Sequence, residues 1–418
     1  MSNKFKTTKL ACYSAYFTMS SIFCVPPILF VTFRELYGIS YTLLGTLVLV
    51  NFFTQLGIDL LFTAFSKHFN AKIMVKVMPI FTSLGLLAYA LIPTFLPNVA
   101  YIGLLIGTVM FSISAGLSEV LLSPIIAAIP SDNPQRDMSL LHSLYAFGTF
   151  TMIVISTIFI KLFGADNWMY LVVFLAALPI ISAVMFMISP MPEMNGSESS
   201  ASTLGDTKRR ALGLALCLAC IFFGSCAENA MANWISTYVE NALGISKAVG
   251  DILGVAMFAI LLGVARISYG KFGKNICRTL IAGMVASSIC YITVGISQNA
   301  IVALVACALT GFCSSMLWPG TLIMMDEKIP NASVAAYALM AAGGDLGASV
   351  APQLLGIVVD NVAISEFAAK YSVVFNVSPE QIGLRVGMIV TALFPIIGTV
   401  VVLITIRHFN KSELEKNR

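Results

Sequence analysis

Glu119 is the ionisable residue with the most unusual sequence surroundings. It lies in an apolar run with no Lys or Arg within one helical turn, and the run ends near Ile129, ten residues later. At about 1.5 Å per helical residue, Glu119 would lie about 15 Å inside, near the middle of a ~30 Å hydrocarbon core. A carboxylate at that depth is costly, so we expect it to face a protein interior or a water-filled cavity and to have a function.

His142 enters the next apolar run six residues after Arg136, at a shallower depth. Its imidazole suits a proton relay or a hydrogen bond to a solute, and a capped histidine at the membrane interface is an equally good interpretation. Tyr145, three residues later, shares its helical face. We predict proton coupling by Glu119 and His142, with Tyr145 as a solute contact.

Two further apolar runs carry amides at helical spacing. Asn229 and Asn233 are four residues apart and share one face. Each amide offers a donor and an acceptor, which suits hydroxyl recognition, although such side chains also join helices in membranes. Asn51, Gln55 and Asp59, also spaced by four, form a polar stripe that should face protein or water. We predict the four amides as solute contacts.

For other polar residues the sequence favours a structural role. Glu228 lies one step off the face of the paired amides, and we expect it to pair with Arg266 or another helix. Asp59 is predicted to pair with a cation as part of a gate. Asp345 lies in a glycine-rich stretch that permits close packing, so we expect a contact between halves. Two aromatic rings are candidates for stacking on a solute, although packing is the better interpretation for either alone: Tyr16 and Trp318.

The composition is typical of a polytopic helical membrane protein. Of 418 residues, 58% are hydrophobic and 11% are charged. Backbone groups in lipid must be satisfied within their own segment, so the apolar runs should be helices. Twelve runs are long enough to cross a membrane: 10–32, 41–64, 73–95, 100–129, 138–163, 168–189, 211–238, 247–270, 278–297, 300–325, 333–360 and 384–408.

Enzyme signatures are missing from the sequence. It has no Walker P-loop, dinucleotide fingerprint, metal cluster or nucleophile elbow. The nine cysteines lie in or beside apolar runs, which favours packing over a disulfide framework. We therefore expect no enzymatic activity, no cofactor and no metal.

Basic residues divide unevenly between the two sides of the predicted spans. Nineteen of the 24 lie on the side of the chain termini and five on the other. We therefore predict a multi-pass protein with both termini cytoplasmic, and its compactness favours a bacterial inner membrane. A polar linker, 191–210, separates an N-terminal half, 1–190, from a C-terminal half, 211–418. Internal matches, such as Gly116 with Gly311, indicate that the halves are duplicated.

The segments Gly263-Val264-Ala265-Arg266 and Gly270-Lys271-Phe272-Gly273-Lys274 resemble a loop motif of the major facilitator superfamily, G-x-x-R…G-x-x-G-[KR]. The resemblance covers essentially the whole chain. Within the superfamily, the fucose–galactose–proton symporter group is similar at Gly116-x-x-Glu119, Ala227-Glu228 and Gly344-Asp345-Leu346-Gly347. The resemblance implies that Glu119 takes the place of a proton-coupling or substrate-site glutamate. Symporters with this glutamate also carry an acid in the first span, where this chain has none.

Together these patterns predict an all-α integral membrane protein, with twelve transmembrane helices in two pseudo-symmetric six-helix halves. The predicted function is secondary active transport of a small polar solute, foremost a sugar, by proton symport with alternating access. The alternatives are an exporter of hydrophobic compounds, a carrier of other organic solutes, and a non-transporting membrane sensor. The expected partners are the solute, a proton or other coupling ion, and the lipid bilayer, with no nucleic acid. We expect a monomer.

Overall fold

The computed structural model describes residues 4–39, 41–65, 68–193, 204–329 and 332–416. Within those ranges the chain is helical and contains no strand, which confirms the all-α fold class. The chain forms two compact units, Met1–Glu198 with Asn331–Ala342 and Ser199–Pro330 with Gly343–Arg418.

The first six helices belong to the first unit. Their bounds are α1 Lys6–Tyr37, α2 Tyr41–Phe65, α3 Ala71–Phe95, α4 Ala100–Ala128, α5 Pro134–Phe163 and α6 Trp168–Ile188. Short 3₁₀ turns at Pro97–Val99 and Ala165–Asn167 lead into α4 and α6.

The later helices are more interrupted. Their bounds are α7 Leu204–Thr237, α8 Lys247–Gly250, α9 Met257–Phe272, α10 Ile276–Ile296, α11 Ala300–Ser314, α12 Leu317–Lys328, α13 Val334–Ala363, α14 Glu366–Phe375, α15 Pro379–Thr391 and α16 Leu393–Lys416. Two π-helical segments, Tyr238–Ala242 and Asp251–Ala256, follow α7 and precede α9.

Asparagine side chains start several helices after tight turns. Asn70 accepts from the backbone N–H of Lys72 at 3.1 Å, and Asn133 accepts from that of Arg136 at 2.9 Å. The first N–H groups of a helix have no intrahelical acceptor, and these amide oxygens supply one. The caps therefore set where α3 and α5 begin.

Close packing in the first unit depends on small residues and on aromatic rings. A Cβ added at Gly107 of α4 would lie 2.6 Å from the Cβ of Tyr89 on α3. Such small residues let helices in a membrane approach one another. Phe33 of α1 packs edge-on against Trp168 of α6, with ring centroids 4.8 Å apart, and both are buried. These contacts hold α1, α3, α4 and α6 as one bundle.

The glycines of α13 likewise permit close packing of helices in the second unit. A Cβ at Gly344 would lie 2.2 Å from Cη2 of Trp318, and one at Gly347 would lie 2.4 Å from the carbonyl oxygen of Phe222. The Ser225 hydroxyl donates to the Gly344 carbonyl at 2.6 Å. The glycine-rich stretch therefore brings α13 against α7 and the start of α12.

Ten helical segments in the described part of the chain are long and apolar enough to cross a membrane. Each of the twelve predicted spans also coincides with helix, α1 and α2 covering the first two. The membrane character is thus confirmed. The count of twelve crossings and the half boundaries at 190 and 211 stay predictions.

The predicted span 300–325 is not one continuous helix, because a turn at Ser315 and Met316 separates α11 from α12. Pro319 has no N–H, so the Ser315 carbonyl lacks its normal helical donor. Arg266 Nε donates to that carbonyl instead, at 2.7 Å. Pro395 similarly follows the interruption between α15 and α16.

Candidate functional site

His142 lies at the centre of a polar cluster in the first unit. It is 3% exposed, and its Nδ1 is 3.2 Å from the hydroxyl oxygen of Tyr16 on α1. Its Nε2 is 3.4 Å from the hydroxyl oxygen of Ser123 on α4. Both ring nitrogens therefore have a hydroxyl partner, and each hydroxyl can donate or accept. The arrangement allows either neutral tautomer, as a proton relay requires.

Aromatic rings pack against one side of this cluster. Tyr16 packs edge-on against His142 and Tyr145, with ring centroids 5.0 and 6.2 Å away. Tyr145 also meets Phe23, at 5.8 Å. The predicted common face of His142 and Tyr145 is therefore confirmed, and it packs against α1.

Glu119 lies beside Asp59. A carboxylate oxygen of each lies within 4.8 Å of the other, with Asp59 fully buried and Glu119 partly buried. Gly116, almost one turn before Glu119, permits this approach, because a Cβ there would lie 3.0 Å from Ile58 Cβ on α2. Two ionised carboxylates so close repel each other strongly in a medium of low dielectric. The pair is therefore a candidate site for a proton.

The other members of the α2 stripe bind one another and α4. Gln55 Nε2 donates to Asn51 Oδ1 at 3.1 Å, and the Ser112 hydroxyl donates to the same oxygen at 2.6 Å. Asn51 and Gln55 are 7% and 0% exposed. The prediction that the stripe faces protein is confirmed. In this conformation these amides join α2 to α4, and their contact with solute stays a prediction.

The two amides of α7 have different environments. Asn229 is partly buried, and its Nδ2 donates to the Ser225 hydroxyl at 3.1 Å. Since Ser225 itself donates to the Gly344 carbonyl, Asn229 continues a polar chain that begins at α13. Asn233 is exposed, and its Nδ2 donates to the Asn229 carbonyl at 2.8 Å. An exposed amide on an apolar helix is available to a polar ligand.

Glu228 pairs with Arg266, the partner suggested by the sequence. Arg266 Nη2 lies 3.1 Å from both carboxylate oxygens, and its Nε donates to the Ser315 carbonyl. The arginine side chain is 3% exposed and the glutamate side chain 14%. This buried pair joins α7, α9 and the turn before α12.

The remaining predicted residues lie in the second unit. Trp318 is partly buried, with its ring over Gly344, so at least part of it serves packing. Asp345 is 4% exposed on α13. The predicted solute contact of Trp318 and the inter-half role of Asp345 stay predictions.

The structure adds charged contacts that the sequence argument missed. Lys9 of α1 pairs with Asp137 in the first turn of α5. Asp137 is 3% exposed and also accepts a hydrogen bond from the Ser131 hydroxyl at 2.5 Å. An acid in the first turn of a helix is common, so the sequence did not indicate that Asp137 is buried and paired.

Comparisons with known proteins agree with this architecture. The sequence profile of the Major Facilitator Superfamily matches residues 11–352. The E. coli fucose:proton symporter FucP is 13% identical, with a TM-score of 0.68 over 95% of this chain and 99% of that chain. FucP in an outward conformation gives 0.70 at 13% identity, over 94% and 98%.

The proton:xylose symporter XylE bound to 6-bromo-6-deoxy-D-glucose is 14% identical, with a TM-score of 0.73 over 93% of this chain and 94% of that chain. At these identities the likeness shows the fold. No curated protein matches the sequence.

Proposed function

The chain belongs to the major facilitator superfamily, and we propose that it is a secondary active transporter of a small polar solute, foremost a sugar. We propose proton symport with alternating access. The observation that carries the proposal is the Asp59–Glu119 carboxylate pair inside a bundle of apolar helices, since acids at that depth commonly serve ion pathways. The solved relatives are named as sugar:proton symporters, which supports this solute class and favours transport over catalysis.

The proposed roles follow the geometry of each unit. Glu119 binds the coupling proton next to Asp59. His142 exchanges protons or contacts solute through the hydroxyl groups of Tyr16 and Ser123. In the second unit, Asn229 and Asn233 provide amides for solute hydroxyls. The Glu228–Arg266 pair holds helices in place and takes no part in binding.

Uptake into proteoliposomes tests the proposed function. Radiolabelled fucose, xylose and galactose are supplied with and without a pH gradient, and lipophilic cations are tested in parallel. We expect at least one sugar to accumulate above its equilibrium level only when the gradient is present. Transport of the lipophilic cations alone would favour an exporter of hydrophobic compounds. Sugar binding without any flux would favour a sensor.

The proposed placement is a bacterial inner membrane, with both termini cytoplasmic and the chain a monomer. The nineteen-to-five division of basic residues supports the orientation. In this orientation Ser372, on α14, lies outside the cell, and labelling of a cysteine placed there with an impermeant reagent tests it.

Asn229→Ala should weaken solute binding about tenfold, because a lost hydrogen bond to a buried polar partner costs about 1–3 kcal/mol. Asn233→Ala should act in the same direction. Binding of a transported sugar is measured by calorimetry in detergent. Asn361→Ala is the matched control, since Asn361 is an exposed amide that donates to the Ile357 carbonyl at the end of α13. Wild-type affinity in both α7 variants would assign these amides to helix packing.

A further inference from the structure

The short helix α14 carries an aromatic face. Phe367, Tyr371 and Phe375 recur every four residues, and their ring centroids are 4.6 and 6.0 Å apart in sequence order. Ser365 caps the start of the helix by accepting from the Ala368 N–H, and Asn376 ends it in the left-handed conformation. The rings therefore form one stripe on a helix with defined ends.

This face is partly exposed to the surroundings of the protein. Phe367 is 51% exposed, Phe375 49% and Val374, on the same side, 65%. Ala368, seven residues before Phe375 and therefore nearly in line with it on the helix, is fully buried, and Tyr371 is partly buried. The aromatic stripe thus lies on the side of the helix that faces the protein, with Phe367 and Phe375 about half exposed, while Ala369 lies on the opposite, exposed side.

The connections of α14 determine where it lies. It begins three residues after the end of α13 at Ala363 and ends four residues before α15 begins at Pro379. Both neighbours belong to segments long and apolar enough to cross a membrane, Val334–Ala363 and Pro379–Asn410. At about 1.5 Å per residue, its ten residues span about 15 Å, which is too short to cross. The helix therefore lies near the end of two candidate spans, and it contacts α15.

We propose that α14 is an interfacial helix whose aromatic face lies in the lipid bilayer, at the boundary between headgroups and acyl chains. Aromatic rings favour that depth, and an amphipathic helix can bury its apolar side there. Lys370 is exposed, with its ammonium 5.9 Å from the centroid of Tyr371, and its long side chain can place that charge among lipid phosphates. Glu366 balances its charge, so the binding should depend on apolar burial more than on anionic lipid.

Fluorescence in nanodiscs that hold one copy of the full chain tests this proposal. Phe375→Trp places an indole on the aromatic face, and Ala369→Trp places one on the opposite, exposed side of the helix. The signal of the parent protein is subtracted. The added emission of Phe375→Trp should be blue-shifted, lose most of its intensity with lipids brominated near the headgroup, and resist iodide in the buffer. The added emission of Ala369→Trp should respond in the opposite way.

Size exclusion and thermal unfolding establish that both variants are folded before they are compared. Quenching of Phe375→Trp by iodide and not by brominated lipid would overturn the proposal. Equal behaviour of the two variants would overturn it as well. Protection that appears only with two copies per nanodisc would instead assign the face to a contact between chains and would also overturn it. Since the measurement involves no solute or pH gradient, its outcome is independent of the proposed transport.

Discussion

Glu119→Gln is expected to abolish accumulation of solute on a pH gradient while leaving exchange between equal solute pools measurable. Glutamine keeps the shape and a hydrogen-bonding head but cannot bind and release a proton. Coupling needs that titration, whereas exchange of solute for solute needs only the movement of the loaded protein. Radiolabelled solute in proteoliposomes measures both, as gradient-driven uptake and as counterflow.

The Asp59–Glu119 pair gives this expectation its physical basis. The predicted first span, 10–32, has no acid, and the structure places Asp59 of α2 within 4.8 Å of Glu119. Two ionised carboxylates at that separation repel each other, and a proton bound to either one relieves the repulsion. Asp59→Asn should therefore also impair gradient-driven uptake, since it removes one member of the pair.

Glu366→Gln is the matched control for the carboxylate variants. Glu366 is an exposed acid in the first turn of α14, where the same change removes a charge without touching the pair. It should accumulate solute like the parent protein. If Glu119→Gln still concentrates solute on a pH gradient, Glu119 is not the coupling residue. Another coupling ion or facilitated diffusion would then describe the transport.

Local patterns in the sequence were sufficient for the helices and for some of their contacts. Helical spacing predicted that Asn51, Gln55 and Asp59 face protein, and their burial agrees. The glycines around Asp345 predicted close packing of α13, which Gly344 and Trp318 show. These features depend on residues that are close to one another in the sequence, so local spacing was enough to predict them.

Contacts between helices that are far apart in the sequence were harder to predict. The spacing of the α2 stripe defines a face but not the helix that it meets, so the sequence did not predict that Asp59 lies near Glu119. The pairing of Asp59 with a cation stays a prediction. The sequence did not identify Ser123 as a partner of His142, because serine is common in membrane helices and His142 lies on another helix, α5. The Lys9–Asp137 pair was missed for the same reason.

The turn before α12 shows how one residue can bind groups on several helices. Pro319 indicates an interruption from sequence alone, but not which group satisfies the Ser315 carbonyl. The structure assigns that task to Arg266, which also binds Glu228. The arginine of the loop motif is therefore part of the packing of the second unit.

Arg266→Gln is expected to lower the free energy of unfolding by about 3–5 kcal/mol, the usual cost of removing one partner of a buried ion pair. It leaves the Glu228 carboxylate in a buried site and takes the donor from the Ser315 carbonyl. Denaturant unfolding in detergent measures the loss. Arg278→Gln is the control, because Arg278 is exposed at the start of α10 and should change stability little.

Two second substitutions separate the contributions of Arg266. Glu228→Gln in the Arg266→Gln background removes the uncompensated charge, so the double variant should be more stable than Arg266→Gln alone. Pro319→Ala restores an N–H that can bond to the Ser315 carbonyl, so Arg266→Gln should cost less in that background than in the parent. Identical costs in the two backgrounds would mean that Arg266 acts through Glu228 alone. A wild-type unfolding midpoint for Arg266→Gln would remove the pair from the interactions that stabilise this unit.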